Sequence, residues 1–321
     1  MAKTRFDVTA FGEIMLRLSV SAGNRLEATN QLRVDPAGAE SNVMGALARL
    51  NRNCAWVGGL PASALGRLAA NSLRLCGVNL ESIIWSENER IGTYYVEFSE
   101  PPRSIEVLYD RANSSAALLT SDQIDWDFLL NTRLLHLTGI TPALSANSRV
   151  IIRTALARAR AAQVPVSFDI NYRQKLWEPK EAAHELTELI QKVEILFCSK
   201  RDAERLFGIT GNPQEIARQL SSLSGAKHVI VTLGESGAVL LSEEFFFHQP
   251  SLPTRIVDRL GAGDALAAGV IHGWLDNNLR LGLRYGTALA ALALSQHGDM
   301  VITTADELKN LSADSDSTVS R

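Results

Sequence analysis

The stretch Leu260-Gly261-Ala262-Gly263-Asp264 runs without a spacer into Ala265-Leu266-Ala267-Ala268-Gly269, so a glycine turn opens directly into a helix of small and apolar residues. Gly261 and Gly263 lack a Cβ, which lets their backbone take positive φ, approach a ligand closely and aim successive amides at one point. The first helical turn adds unpaired N–H donors and the positive end of the helix dipole, and together these favour an anion. Asp264 stands beside that anion site. An acid in the first turn of a helix is ordinary on its own. Its setting gives it chemical meaning: Asp258 lies six residues earlier, after Arg255-Ile256-Val257, which reads as a strand. Amides that hold a developing negative charge, next to a carboxylate able to take a proton, are what phosphoryl transfer to an alcohol requires.

The elements that must position this turn follow from hydrophobic periodicity. Leu266, Gly269, Val270 and Gly273 recur at helical spacing behind the turn. At the other end of the chain, 6–18 reads as a first strand broken at Gly12-Glu13, and 31–35 as a short strand ended by Pro36. A helix follows with Val43, Met44, Leu47 and Leu50 as its apolar stripe, and Asn42 falls where an N-cap belongs. A buried strand over 54–60 precedes a helix over 63–76 that Gly77 ends. Two alternating runs, 90–98 and 105–111, flank Glu100-Pro101-Pro102-Arg103 and read as an antiparallel pair in a small second sheet.

Beyond Leu118, strand-like runs at 134–138, 164–170, 193–198 and 228–233 alternate with helical segments. Repeated βα units imply an α/β fold with a central, mostly parallel sheet flanked by helices on both faces. Ligands of such sheets bind at the carboxyl ends of the strands. Strand character returns at 238–247, and an alanine-rich helix spans 284–296. The expected organisation is one domain over 1–311, with a small β lid drawn from about 14–36 and 90–112 and a Ser/Asp-rich tail over 312–321 left disordered.

Composition narrows the functional classes. The 321 residues carry a formal charge of −3 without a dense run of Lys or Arg, which argues against nucleic acid and membrane surfaces as partners. A start at Met1-Ala2-Lys3 that leads straight into a strand-like run, with no apolar signal segment, points to a cytoplasmic protein. Cys54, Cys76 and Cys198 are scattered among apolar neighbours and read as reduced core thiols.

With these elements placed, the chain resembles the ribokinase-like sugar kinases of the phosphofructokinase B family over nearly its whole length. Ala37-Gly38-Ala39-Glu40-Ser41-Asn42 is similar to the family's N-terminal Gly-Gly-Ala-x-x-Asn signature, and Asp258-Arg259-Leu260-Gly261-Ala262-Gly263-Asp264 to its C-terminal one. Three stretches resemble the 2-keto-3-deoxygluconate kinases more narrowly: 11–18, 136–144, and Asp169-Ile170-Asn171-Tyr172-Arg173-Gln174-Lys175-Leu176-Trp177.

The resemblance implies a ribokinase-like α/β domain with a β lid over the sugar, and ATP with Mg²⁺ as phosphoryl donor. It makes Asp264 the base that takes the hydroxyl proton, with the amides of Gly261, Ala262 and Gly263 holding the phosphoryl group. Gly38 and Asn42 would touch sugar hydroxyls, Tyr94 and Arg111 would reach down from the lid, and Arg173, with Asp299, would meet the rest of the substrate. Arginine suits a carboxylate because its planar fork donates two charge-assisted hydrogen bonds. Thr232, Gly234 and Gly237 would line the nucleotide site, with Ala288 and Ala291 near the adenine. Ser199 and Asp202 occupy the ends of a segment where the family often has Asn-x-x-Glu, so Asp202 would act on Mg²⁺ through water. Ala37 and Leu266 depart from the family's usual Gly and Phe, and 108–111 does not match the Tyr-Tyr-Arg of some members.

The implied reaction is phosphorylation of the terminal hydroxyl of 2-keto-3-deoxygluconate or a close sugar acid. A homodimer formed through the lid is the expected assembly. Two alternatives stay open at this point: a kinase of a neutral sugar or nucleoside, and a sugar-binding protein on the same fold that has lost catalysis. A dinucleotide site is disfavoured, since Leu266 occupies the place a third glycine would need.

Overall fold

The computed structural model describes residues 4–99, 103–243 and 245–313. Its centre is an eight-stranded sheet. From one edge the order is Phe246–Gln249, Ala238–Ser242, His228–Thr232, Ile195–Ser199, Val166–Asp169, Thr132–Thr138, Phe6–Phe11 and Cys54–Val57. The last six run parallel, and the first two are attached antiparallel at the edge. Side-chain alternation explains why these strands are apolar throughout. Ile195 and Phe197 pack into the core on one face of the sheet, while Leu196 and Cys198 pack into the core on the other. The first core holds the helices Ala39–Arg49, Ala262–Leu275 and Leu279–Leu294; the second holds Ala146–Ala161, Pro179–Leu189 and Pro213–Ser224.

A separate four-stranded sheet forms the lid, in the order Arg33–Ala37, Met15–Val20, Thr93–Glu97, Glu106–Asp110. This corrects the reading of 6–18 as one interrupted strand. Phe6–Phe11 belongs to the central sheet and Met15–Val20 to the lid, so Gly12-Glu13 is the crossing between sheets. Pro36 lies inside its strand, opposite Leu16, and is tolerated because that strand is at the edge of the lid. The antiparallel pair expected from 90–98 and 105–111 is present as Thr93–Glu97 with Glu106–Asp110; residues 100–102 of its connection lie outside the described residues.

Three further expectations change. The segment 255–257 is not a strand; it is irregular backbone tied down where the amides of Val257 and Asp258 donate to the Leu294 carbonyl at 2.7 and 3.2 Å. The late helix spans Leu279–Leu294. Ser312 lies in the final turn of the helix Ala305–Ala313 and is not part of a disordered tail; the expected tail from 314 onward lies outside the described residues. Cys54 and Cys198 are buried, Cys76 half-buried, and all are free thiols.

The helix behind the glycine turn owes its position to two glycines. A Cβ on Gly269 would lie 2.3 Å from the Gly286 nitrogen, and one on Gly273 would lie 2.2 Å from Gly282 Cα. Backbone-to-backbone contact of this kind leaves no side chain free to yield. Gly269→Leu should therefore lower stability to urea by about 3 kcal/mol, at the upper end of overpacking costs. Unchanged stability would show that the two helices can separate without loss.

Candidate active site

Gly261 takes φ +82 and forms the N-cap of the helix Ala262–Leu275. A Cβ there would sit 1.8 Å from the Asp299 carbonyl oxygen, so both the conformation and the close approach require glycine. The Ala265 amide bonds back to the Gly261 carbonyl at 2.9 Å, and the preceding helical amides, Ala262 to Asp264, have no carbonyl within the helix to reach. Gly263 is different. A Cβ built on it meets nothing within 4 Å and would project into open space. No protein contact demands glycine at that position.

Asp264, half-buried, is oriented by Asn42, whose Nδ2 donates to Oδ2 at 2.7 Å. Asn42 is not the N-cap expected from sequence. Gly38 caps the helix Ala39–Arg49, and Asn42 sits one turn inside it, aimed across at Asp264. Burial drives the Asp264 pKa well above the usual carboxylate range, and the nearby Asp169 and Asp299 push it further, while Asn42 and Arg173 oppose the shift. Asp169, at the carboxyl end of its strand, rises to about 7 for the same first reason, desolvation, with Arg173 again opposing. Asp202 is also raised by burial, despite Ser199 and Arg173.

These groups line one cavity of about 480 Å³ beneath the lid. Of the residues proposed from sequence, Gly38, Asn42, Tyr94, Arg111, Arg173, Ser199, Asp202, Thr232, Gly261, Gly263, Asp264 and Asp299 all border it. A second cavity of about 490 Å³ adjoins it over the glycine turn, bordered by Thr232, Gly234, Gly237, Ala262, Gly263 and Ala291. Ala288 does not border either cavity. It is buried against the core, and Thr287, Ala290 and Ala291 present the cavity face of their helix instead.

Two substrate candidates turn out to be engaged within the protein. Asp299 accepts from Arg17 Nη1 at 2.5 Å and from the Tyr94 hydroxyl at 2.7 Å. Arg111 donates through Nε to Glu13 Oε2 at 2.9 Å and again through Nη2, while the Ser114 hydroxyl takes the other Glu13 oxygen. Arg173 is the contrast: it is exposed to the cavity, with no salt bridge among the described residues and a single long hydrogen bond, 3.4 Å, to the Tyr172 carbonyl.

Sequence reasoning missed Arg17. Its Nη2 donates to Asp258 Oδ2 at 2.5 Å, so one buried guanidinium joins Asp258 and Asp299. Asp258 also accepts from the amides of Leu260 and Gly298 at 3.0 and 3.2 Å. Alternation hid it: Leu16, Leu18 and Val20 read as the apolar face and Arg17 with Ser19 as the wet one, yet Arg17 and Ser19 are both buried. Asp169, Tyr109 and Arg259 also border the cavity without having been assigned roles.

The model of the pfkB family carbohydrate kinases matches residues 5–305. The chain belongs to that family. This pfkB carbohydrate kinase transfers a phosphoryl group to a sugar. It is similar to the 2-dehydro-3-deoxygalactonokinase of Haloferax volcanii, at 34% identity over 98% of this chain and 99% of that protein. It is similar also to the 2-dehydro-3-deoxygluconokinase of Bacillus subtilis, at 32% over 92% of each. The crystal structure of 2-dehydro-3-deoxygluconokinase from Thermotoga maritima matches with a TM-score of 0.91 and 32% identity, covering 96% of this chain and 98% of that one. The kinase therefore has the ribokinase-like α/β fold with its separate lid sheet.

Two measurements probe this geometry. Gly263→Ala should leave stability unchanged or raised by up to about 1 kcal/mol yet cut turnover, whereas Gly261→Ala should unfold at lower temperature; equal effects on both would contradict the difference in their surroundings. Because Asp169 raises the Asp264 pKa, Asp169→Asn should move the acid limb of the kcat/KM profile to lower pH. An acid limb that stays in place would separate the two carboxyls electrostatically.

Proposed function

We propose that this kinase uses ATP to phosphorylate the terminal hydroxyl of 2-keto-3-deoxygluconate or its galactonate epimer. The observation that carries the reading is the placement of Asp264: it is held by Asn42 at the edge of the glycine cradle, facing a cavity in which Arg173 remains free for an anion. The names of the Bacillus and Thermotoga relatives favour the gluconate epimer, and that of the Haloferax relative favours the galactonate one.

In this reading ATP lies over Gly234 and Gly237 with its terminal phosphate at the amides of Ala262 and Gly263. The sugar acid occupies the cavity under the lid with its carboxylate on Arg173. Asp264 accepts the hydroxyl proton as the oxygen attacks phosphorus. Gly38, Asn42 and Tyr94 shape the acceptor side. Asp169 and Asp202 suit Mg²⁺: both are oxygen donors on the cavity wall, and Asp202 disfavours ionisation of Asp169, a repulsion that a hard cation relieves. Bound there, Mg²⁺ would supply charge neutralisation to the triphosphate.

ADP release across a panel of 2-keto-3-deoxygluconate, its galactonate epimer, fructose, ribose and adenosine tests the substrate. Preference for the keto-deoxy acids is expected; preference for a neutral sugar would remove the carboxylate from Arg173. Asp264→Asn should lower kcat by on the order of two to four powers of ten while raising thermal stability at pH 8. The sign follows from the raised folded-state pKa: wild-type loses stability as pH climbs from the ordinary carboxylate range through that raised value. The stabilisation in the variant should therefore fade towards pH 4. Full turnover in the variant would show that another group takes the proton.

For assembly, the outer face of the lid carries Val34, Leu18, Tyr95 and Leu108 in one register row across its four strands. We assign this apolar row to a contact with a second copy of the chain. Sedimentation equilibrium should give a dimer that Leu108→Glu converts to monomer; an unaltered dimer would place the interface elsewhere.

A further inference from the structure

We propose that Arg259 is a further catalytic residue, closing its guanidinium on the phosphoryl group as it passes between the two cavities. The proposal rests on the kinase reading above and adds a residue to its chemistry.

Four residues border both cavities: Thr232, Arg259, Gly263 and Leu266. Arg259 alone among them carries a charge. It stands at the boundary a γ-phosphoryl group must cross to travel from the nucleotide hollow to the sugar. The other arginines around the acceptor cavity have other demands on them. Arg17 is buried between Asp258 and Asp299, Arg111 is paired with Glu13, and Arg173 is the cation that Asp169, Asp202 and Asp264 all feel. The Arg259 side chain is exposed and makes no hydrogen bond, salt bridge or ring contact among the described residues, so it has no structural task to explain it.

Its backbone, by contrast, is firmly held. Asp258 is buried and fixed by Arg17, and its Oδ1 accepts the Leu260 amide at 3.0 Å, a short turn that spans Arg259. Gly261 follows, wedged against Asp299. A free guanidinium on an anchored backbone, next to the cradle, is a cation kept within reach of the reacting group and at liberty to close on it.

The step needs such a cation. The acceptor oxygen forms a bond to the γ-phosphorus while the bond from that phosphorus to the β–γ bridging oxygen breaks. The electron pair leaves with ADP, and the hydroxyl proton goes to Asp264. Negative charge builds on the bridging oxygen and is spread over the three equatorial oxygens in flight. The cradle amides approach from the helix side with partial charges only. Arg259 would add a full charge and planar donors, exchanging no proton.

The experiment compares wild type with Arg259→Met and Arg259→Lys. Steady-state kinetics are measured with ATP and 2-keto-3-deoxygluconate, or with whichever acceptor the panel identifies. Affinity for ADP with aluminium fluoride, a mimic of the phosphoryl group in flight, is measured with and without that acceptor. The expected result for Arg259→Met is a fall in kcat on the order of 100-fold to 1,000-fold, with KM values within about threefold. Affinity for the fluoride complex should fall by a matching factor, and Lys should recover part of both. A raised KM for either substrate at unchanged kcat would make Arg259 a ground-state binding residue and overturn the proposal. So would a lower kcat with unchanged affinity for the fluoride complex. The acceptor-free fluoride measurement reads Arg259 without any sugar, so failure of the sugar-acid assignment would be seen in the panel and not here.

Discussion

A single guanidinium buried between two carboxylates fixes the relation between the lid and the catalytic turn. Arg17 belongs to the lid strand Met15–Val20, yet its hydrogen bonds end on Asp258, which starts the turn, and on Asp299, whose carbonyl abuts Gly261. The ring of Phe98 covers the guanidinium at 4.9 Å, and Tyr94 completes the Asp299 carboxylate from the next lid strand. Removing one member of such a buried set leaves charge without compensation, at a cost of about 3–5 kcal/mol. The lid and the glycine turn are therefore held in register from below, while the cavity between them stays open to ligands. The Glu13–Arg111 pair plays the same part at the crossing between sheets, where a Cβ on Gly38 would lie 2.0 Å from the Glu13 carbonyl.

Around this fixed frame the site concentrates unfavourable charge. Asp169, Asp202 and Asp264 border one cavity and all have raised pKa values because they are poorly solvated. A fold selected only for stability would pair or remove them. Their persistence beside an uncommitted Arg173 fits a site completed by its ligands, in which phosphates, a sugar acid and a divalent cation supply the missing partners. The glycines divide along the same line: Gly261 answers to the protein, and Gly263, with empty space around its missing side chain, answers to what passes over it.

The fold was legible where hydrophobic periodicity was clean. The parallel strands alternate between two cores, and the lid's antiparallel pair follows from two alternating runs, so local pattern and tertiary placement agree. Legibility failed where tertiary contacts overrode local pattern. No periodicity distinguishes Phe6–Phe11 and Met15–Val20 as strands of different sheets, because only the turn at Gly12-Glu13 separates them. Asn42 reads locally as a cap, and its true partner, Asp264, is 222 residues away. Likewise, Asp299 and Arg111 carry the right chemistry for substrate contact, but the sequence cannot reveal that Arg17 and Glu13 already bond to them. Ala288 and Ala291 differ by less than one helical turn, enough to send one to the core and the other to the cavity.

The central claim is direct transfer of a phosphoryl group to the terminal hydroxyl of a keto-deoxy sugar acid. Proton–phosphorus correlation NMR on the product formed from MgATP and 2-keto-3-deoxygluconate tests it most directly. The account predicts phosphorus coupled to the two protons of the terminal methylene. Coupling to a ring or chain methine proton, or inorganic phosphate as the sole new phosphorus signal beside ADP, would contradict it.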